Sequence, residues 1–145
     1  MDLPSLQFPT ATRDYVKIRT TDNVLQIWDI IRKKWLVATP EEWVRQHTIG
    51  YILLHKYPAS LIAVESGLTT VHKQKRSDIL VYKQDKPFIL VECKAPSVKL
   101  SQNTFNQAFN YNNTLQASYI YLTNGLQHVF WDSRTNLQVS SLPIY

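Results

Sequence analysis

The sequence predicts a mixed α/β (α+β) domain, with a central mixed β-sheet flanked by two main helices. Three observations predict it. Short β-prone runs recur along the whole chain. Two longer segments show helical spacing, each behind a capping residue. One run, Phe88-Ile89-Leu90-Val91, is continuously apolar, as in a strand buried on both faces. The 145 residues are read as a single domain, 1–145, with residues 1–12 as a surface arm that carries Pro4 and Pro9.

The elements follow in order. Tyr15 to Arg19 alternates and reads as a strand. Leu25–Asp29 and Lys34–Val37 are short β-prone runs; Arg32-Lys33 between them suggests a hairpin, with Arg32, Lys33 and Lys34 read as its exposed tip. Thr39-Pro40-Glu41-Glu42 starts a helix: Thr39 as N-cap, Pro40 at the first helical position, and Glu42 three residues on as capping-box partner. Val44, Thr48 and Ile52, with Trp43, Ile49 and Leu53, carry the helical period until Tyr57-Pro58 ends it. Leu61–Glu65 is a strand, and Gly67–Lys75 a polar, basic connection. Asp78–Lys83 and Pro87–Lys94 form a hairpin around Gln84-Asp85-Lys86. Ser101 caps a second helix carrying Phe105, Ala108, Phe109, Asn112 and Leu115. Strands at Ser118–Leu122 and Gln127–Trp131 flank a turn at Thr123-Asn124-Gly125, and Leu137–Val139 is a last strand.

Composition excludes several function classes. Apolar residues make up 44% and charged residues 19%, which rules out general disorder. The single cysteine, Cys93, allows neither an internal disulfide framework nor a multi-cysteine zinc site. Three glycines leave no Gly-rich phosphate loop. No apolar run approaches the roughly 20 residues that span a bilayer, so no membrane partner is expected. Asp2, Arg13, Asp14, Lys17, Arg19 and Asp22 leave no room for a signal peptide, and a cytoplasmic setting is expected. Lys+Arg 16 against Asp+Glu 11 gives +5, a charge that favours polyanions without requiring them. Trp28, Trp35, Trp43 and Trp131 read as packing residues rather than base-stacking platforms, and the four histidines show no metal-ligand spacing.

The segment that carries chemistry is Arg76-Ser77-Asp78-Ile79-Leu80-Val81-Tyr82 followed by Phe88-Ile89-Leu90-Val91-Glu92-Cys93-Lys94. Glu92 and Lys94 are two apart on one strand and share a face. They end an apolar run, where charges need a partner or a task. If the two strands pair as a hairpin, Asp78 lies beside Glu92, and like charges at that distance call for a cation between them. Oxygen donors suit a hard ion, so Asp78, Glu92 and the backbone carbonyl of Cys93 form a candidate site for Mg²⁺ or Mn²⁺. Such an ion would polarise a phosphate, with Lys94 orienting or deprotonating the attacking water. The alternative is a structural salt bridge at the sheet's end. Lys73, Lys75 and Arg76, just before Asp78, are candidate phosphate contacts, against the alternative of a solvated loop.

Taken with Thr39-Pro40-Glu41-Glu42-Trp43-Val44-Arg45-Gln46, Tyr57-Pro58, Ile62-Ala63-Val64-Glu65, Ala95-Pro96, Gln107-Ala108-Phe109-Asn110-Tyr111 and Leu122-Thr123-Asn124-Gly125, this segment resembles the N-terminal domain of the type I restriction enzyme R subunit. More broadly it resembles the PD-(D/E)xK nuclease superfamily, although Ser77 stands where that name has proline. The resemblance spans about residues 25–140. It implies a restriction-endonuclease-like fold, Mg²⁺-dependent cleavage of DNA phosphodiester bonds, and other restriction-modification or motor subunits as partners. Residue by residue, it implies Asp78, Glu92 and Lys94 as metal and catalytic positions. It adds a helix glutamate, Glu41 or Glu42, of which Glu41 fits better by spacing and Glu42 has the competing capping task. Gln107 and Tyr111 match a Q-x-x-x-Y pattern, with Gln107 on the catalytic side and Tyr111 toward nucleic acid. The alternative is a non-catalytic DNA-binding or assembly module of the same fold.

Overall fold

A computed structural model describes residues 3–64, 67–69, 74–76 and 78–145. The chain begins with a short 3-10 turn at Thr10–Tyr15, followed by β1 (Ile18–Thr21), β2 (Val24–Asp29), β3 (Lys34–Val37) and helix α1 (Pro40–Leu54). A second 3-10 turn at Ala59–Leu61 leads to β4 (Ile62–Val64), β5 (Gly67–Thr69), β6 (Gln74–Arg76), β7 (Ile79–Lys83) and β8 (Lys86–Cys93). Helix α2 (Gln102–Leu115), β9 (Tyr119–Thr123), β10 (His128–Asp132) and β11 (Leu137–Val139) complete the order. This is a mixed α+β architecture with a central mixed sheet flanked by two helices, as the sequence predicts.

The central sheet runs β11-β10-β9-β8-β7-β4. β8 and β9 are parallel, and α2 makes the crossover between them; every other neighbouring pair is antiparallel. Alternation along β8 sends side chains to both layers. Ile89, Val91 and Cys93 pack with Val44, Ile49 and Ile52 of α1, together with Ile79, Val81, Tyr121 and Phe130. Leu90 faces the other way, against Tyr111 and Ala117, while Ala108 of α2 sits on Ile120 and Leu122. The continuous apolar run of β8 is therefore a strand covered on both faces.

β1, β2 and β3 form a separate three-stranded antiparallel sheet, with Trp28 opposite Trp35 and Ile27 packed on Ala38 and Trp43. Two of the hairpins turn tightly through Asp22-Asn23 and Gln84-Asp85, each with both residues at positive φ. That is the two-residue geometry whose twist matches the flanking strands, and Asn and Asp tolerate it best after Gly. Among the described residues no helix is long and apolar enough to cross a membrane.

Three expectations are corrected. The first strand starts at Ile18 rather than Tyr15, because Thr10–Tyr15 closes as a 3-10 turn behind Pro9 and its Thr12 is buried against α1. A Cβ at Gly50 of α1 would lie 3.1 Å from the Thr12 carbonyl, so the two backbones meet closely there. The connection expected over Gly67–Lys75 contains two short strands, β5 and β6, paired antiparallel. Arg32, read as part of an exposed hairpin tip, folds back instead: its Nε is 2.6 Å from Asp29 and its Nη2 is 3.5 Å from Glu42.

The arm crosses the surface on specific contacts. The Pro4 carbonyl accepts the Trp43 indole N–H at 2.8 Å, and the Gln7 N–H donates to the Gly125 carbonyl at 2.7 Å. Phe8 sits among the rings of His47, Tyr51 and His128.

Candidate functional site

The site forms where β7 begins and β8 ends. The β7–β8 register pairs Ile79 with Val91, which sets Asp78 directly across from Glu92. Asp78 lies just outside the ladder and replaces a strand bond with a side-chain one. Its Oδ2 accepts the Cys93 backbone N–H at 2.7 Å, and its Oδ1 accepts from Arg45 Nη2 at 3.0 Å. Glu92 hydrogen-bonds the Asp78 carboxylate, and its pKa is pushed up to about 9, first by burial and then by the charge of Asp78. Lys94 acts in the opposite direction and lowers it. At neutral pH Glu92 therefore favours its protonated form.

Lys94 continues the strand, its N–H donating to the Thr123 carbonyl at 2.9 Å, and by alternation it shares the α2-side face with Glu92 and Leu90. Cys93 points the other way into the α1 core, where burial raises its thiol well above the usual range. What it offers the site is backbone: an N–H already on Asp78, and the carbonyl that follows.

Helix α1 brings two glutamates near the site, and their side chains part company. Thr39 Oγ1 accepts the Glu42 N–H at 3.1 Å, so half of the capping box forms. The other half does not, because the Thr39 N–H goes to the Val37 carbonyl at 2.8 Å. The Glu42 carboxylate is drawn sideways by Arg45, by Gln46 at 3.2 Å and by Arg32. Glu41 is half exposed, with Oε1 3.8 Å from Arg45 Nη2, and its charge reaches Glu92. Of the two, Glu41 is the one turned toward the Asp78–Glu92 pair.

The remaining candidates are spread more widely. Tyr111 is only 6% exposed and packs on Leu90, two residues before Glu92 on the same face. It lies beneath the site rather than at a surface a base could reach. Gln107 is exposed, one helical turn nearer the N-terminus of α2. That end of α2 packs by Leu122, the register partner of Glu92. Lys75 and Arg76 belong to β6, and Lys73 lies outside the described residues.

Sequence reasoning passed over Arg45. Its side chain is 7% exposed, and its guanidinium meets Glu41, Glu42 and Asp78 at once. Those carboxylates raise its pKa against the opposing effect of burial, so its charge is permanent. The sequence carries no signal for it, because only the structure shows that the whole Trp43–Gly50 stretch is buried.

A divalent cation at this place would meet a small donor set. Among the described residues no three His, Cys, Asp or Glu side chains gather closely enough to form a metal cage. What is present is a pair of facing acids, with the Glu92 pKa raised first by burial and then by the charge of Asp78, beside a main-chain carbonyl. A second positive charge between the pair relieves that repulsion. Mg²⁺ commonly accepts one or two carboxylates and keeps several waters.

A family model described as the N terminus of type I restriction enzyme R proteins matches residues 40–143. No curated protein matches. Among solved structures, the chain is similar to a fragment assigned to the HsdR subunit of a type I restriction enzyme from Vibrio vulnificus YJ016, at 28% identity and a TM-score of 0.43. The match covers 57% of this chain and 16% of that one.

Proposed function

The chain belongs to the family of type I restriction enzyme R protein N termini, and from that membership we propose that it is a Mg²⁺-dependent nuclease domain of the PD-(D/E)xK type, acting on DNA phosphodiester bonds. The observation that carries this reading is the Asp78–Glu92 pair, set face to face across β7 and β8, with Lys94 next on the same face. Buried acids brought together at a strand end are costly unless a cation or a reaction uses them.

In this reading Asp78, Glu92 and the Cys93 carbonyl hold Mg²⁺ or Mn²⁺, and Glu41 adds negative charge at the entrance. The bound ion supplies polarisation of the scissile phosphate and a more acidic water. Asp78 is held in place for this by the Cys93 N–H. To serve as a ligand Glu92 would have to give up its proton, which would tie metal affinity to pH. Lys94 orients the attacking water and offsets the negative charge that grows on the phosphate. Gln107, on the exposed face of α2, orients the DNA strand, while Tyr111 supports the sheet under Glu92. Lys73, Lys75 and Arg76 contact backbone phosphates on the approach to Asp78. Other subunits of a restriction-modification assembly provide the rest of the machinery.

The test is cleavage of plasmid and linear DNA in Mg²⁺ or Mn²⁺. Asp78→Ala and Lys94→Ala should each lower the rate by about 100-fold or more, as expected for removal of a group that stabilises transition-state charge. Absence of cleavage, or cleavage equal in these variants, removes the enzymatic reading.

A second reading has its own observation. Arg45 and the Cys93 N–H already satisfy both oxygens of Asp78, as a purely structural ion pair would. That favours a DNA-binding or assembly module of the same fold. It predicts salt-dependent DNA binding without turnover.

A further inference from the structure

Arg45 has no part in the nuclease reading, yet it touches one of that reading's metal ligands. Its Nη2 is 3.0 Å from Asp78 Oδ1 and 3.8 Å from Glu41 Oε1, while Nη1 is bonded to Glu42. The guanidinium thus has two anchors on its own helix, at one turn's spacing, and one anchor on the sheet. The helix anchors are local and stay with Arg45 however the sheet side changes. The sheet anchor is the carboxylate that a divalent ion would need. A cation already seated at that oxygen both neutralises it and repels a second cation.

We infer that Arg45 is a tethered counter-cation: it occupies the Asp78 carboxylate in the metal-free site and turns toward Glu41 and Glu42 when a divalent ion binds. Arg45 is thereby a positioning residue that sets how much divalent ion the site requires. The inference rests on the reading of Asp78 and Glu92 as the metal pair. Its motion is small, because Nη2 already lies close to Glu41 while bonded to Asp78. The fork geometry suits it: one nitrogen keeps Glu42 while the other changes partner.

The experiment is calorimetric titration of the full chain with Mn²⁺ at one pH and ionic strength. It compares wild type, Asp78→Asn, Arg45→Gln and Arg45→Lys. Arg45→Gln should bind Mn²⁺ about tenfold more tightly, since a repelling unit charge beside the ion is gone. Arg45→Lys, which keeps the charge, should stay near the wild-type affinity. Asp78→Asn should lose binding. A merely structural arginine would lower the melting temperature in both Arg45 variants without tightening Mn²⁺ binding. If Arg45→Gln does not fold, proton exchange of the Arg45 guanidinium is measured by NMR in the wild-type protein. Mg²⁺ should speed that exchange as the Asp78 bond opens, and unchanged exchange at saturation overturns the inference. Binding that is lost in Asp78→Asn but not tightened in Arg45→Gln overturns the role of Arg45 and leaves the metal pair standing. No Mn²⁺ binding in either wild type or Arg45→Gln overturns both.

Discussion

At the scale of single residues, Glu92 makes the fold sensitive to alkali. Its folded pKa of about 9 lies above the ordinary glutamate value of 4.5, so the folded chain binds this proton more tightly than the unfolded chain does. Stability from this group is complete below the unfolded value and drains away as pH rises toward the folded one. Melting temperatures in chelator should therefore fall between about pH 7 and pH 9, above the range in which buried His47 and His128, whose pKa values are lowered, act in the opposite direction, and Glu92→Gln should flatten that slope. A wild-type profile that rises over this range would contradict the facing-acid geometry. Gly125 makes a second prediction. It adopts φ +84°, and a Cβ there would lie 2.7 Å from Leu6 Cδ2. Gly125→Ala should cost about 1–3 kcal/mol by denaturant titration, from left-handed strain and overpacking together. Both positions were legible in the sequence, since one ends a buried run and the other sits in an Asn-Gly turn. Arg45 was not, because an arginine at a core-facing helix position has meaning only once the acid it meets, far along the chain, is placed beside it.

At the scale of elements, the sequence was most informative where punctuation and period agree. Thr39-Pro40 and Ser101 start the two helices where expected, and each cap accepts the N–H three residues on. Thr39→Ala should cost about 1 kcal/mol. Glu42→Gln should leave the Thr39 cap intact, because the Glu42 carboxylate bonds Arg45 and Gln46 rather than the cap. Comparing the two variants by thermal melting separates capping from the ion cluster; equal and non-additive losses would argue for a closed capping box instead. The period of α1 hid something. Residues Trp43 to Gly50 are all buried, because α1 lies between the central sheet, the small sheet and the arm. A helix covered on so many sides has no clean polar face to read. β5 and β6 escaped notice for a related reason: their polar residues follow no two-residue alternation, and backbone pairing leaves no mark in side-chain pattern.

At the scale of the whole molecule, the arm ties distant parts together. The Gln7 carbonyl accepts from His128 Nε2 at 2.6 Å, its N–H reaches Gly125, and Gly125 lies against the side chains of both Leu6 and Val44. Removing residues 1–8 should lower stability by about 2 kcal/mol or more, from the apolar contacts of Leu6 and Phe8. Denaturant unfolding of the shortened chain measures it; an unchanged midpoint would mean that the arm merely rests on the surface. The arm's composition shows only prolines and scattered apolar residues, so its docking partners are a property of the assembled fold. The site, by contrast, depends on one register, β7 against β8, which the turn at Gln84-Asp85 starts and a one-residue shift between Val81 and Tyr82 completes, bringing Asp78 opposite Glu92.

That hairpin register also sets the order in which the site is built. Asp78 and the Cys93 N–H that orients it are 15 residues apart and close through a tight turn. β9 can join β8 only after all of α2 has been threaded across the sheet. Contacts across short loops form sooner than those across long ones. The β7–β8 pairing that sets the two acids face to face is therefore expected to form before α2 and β9 join the sheet.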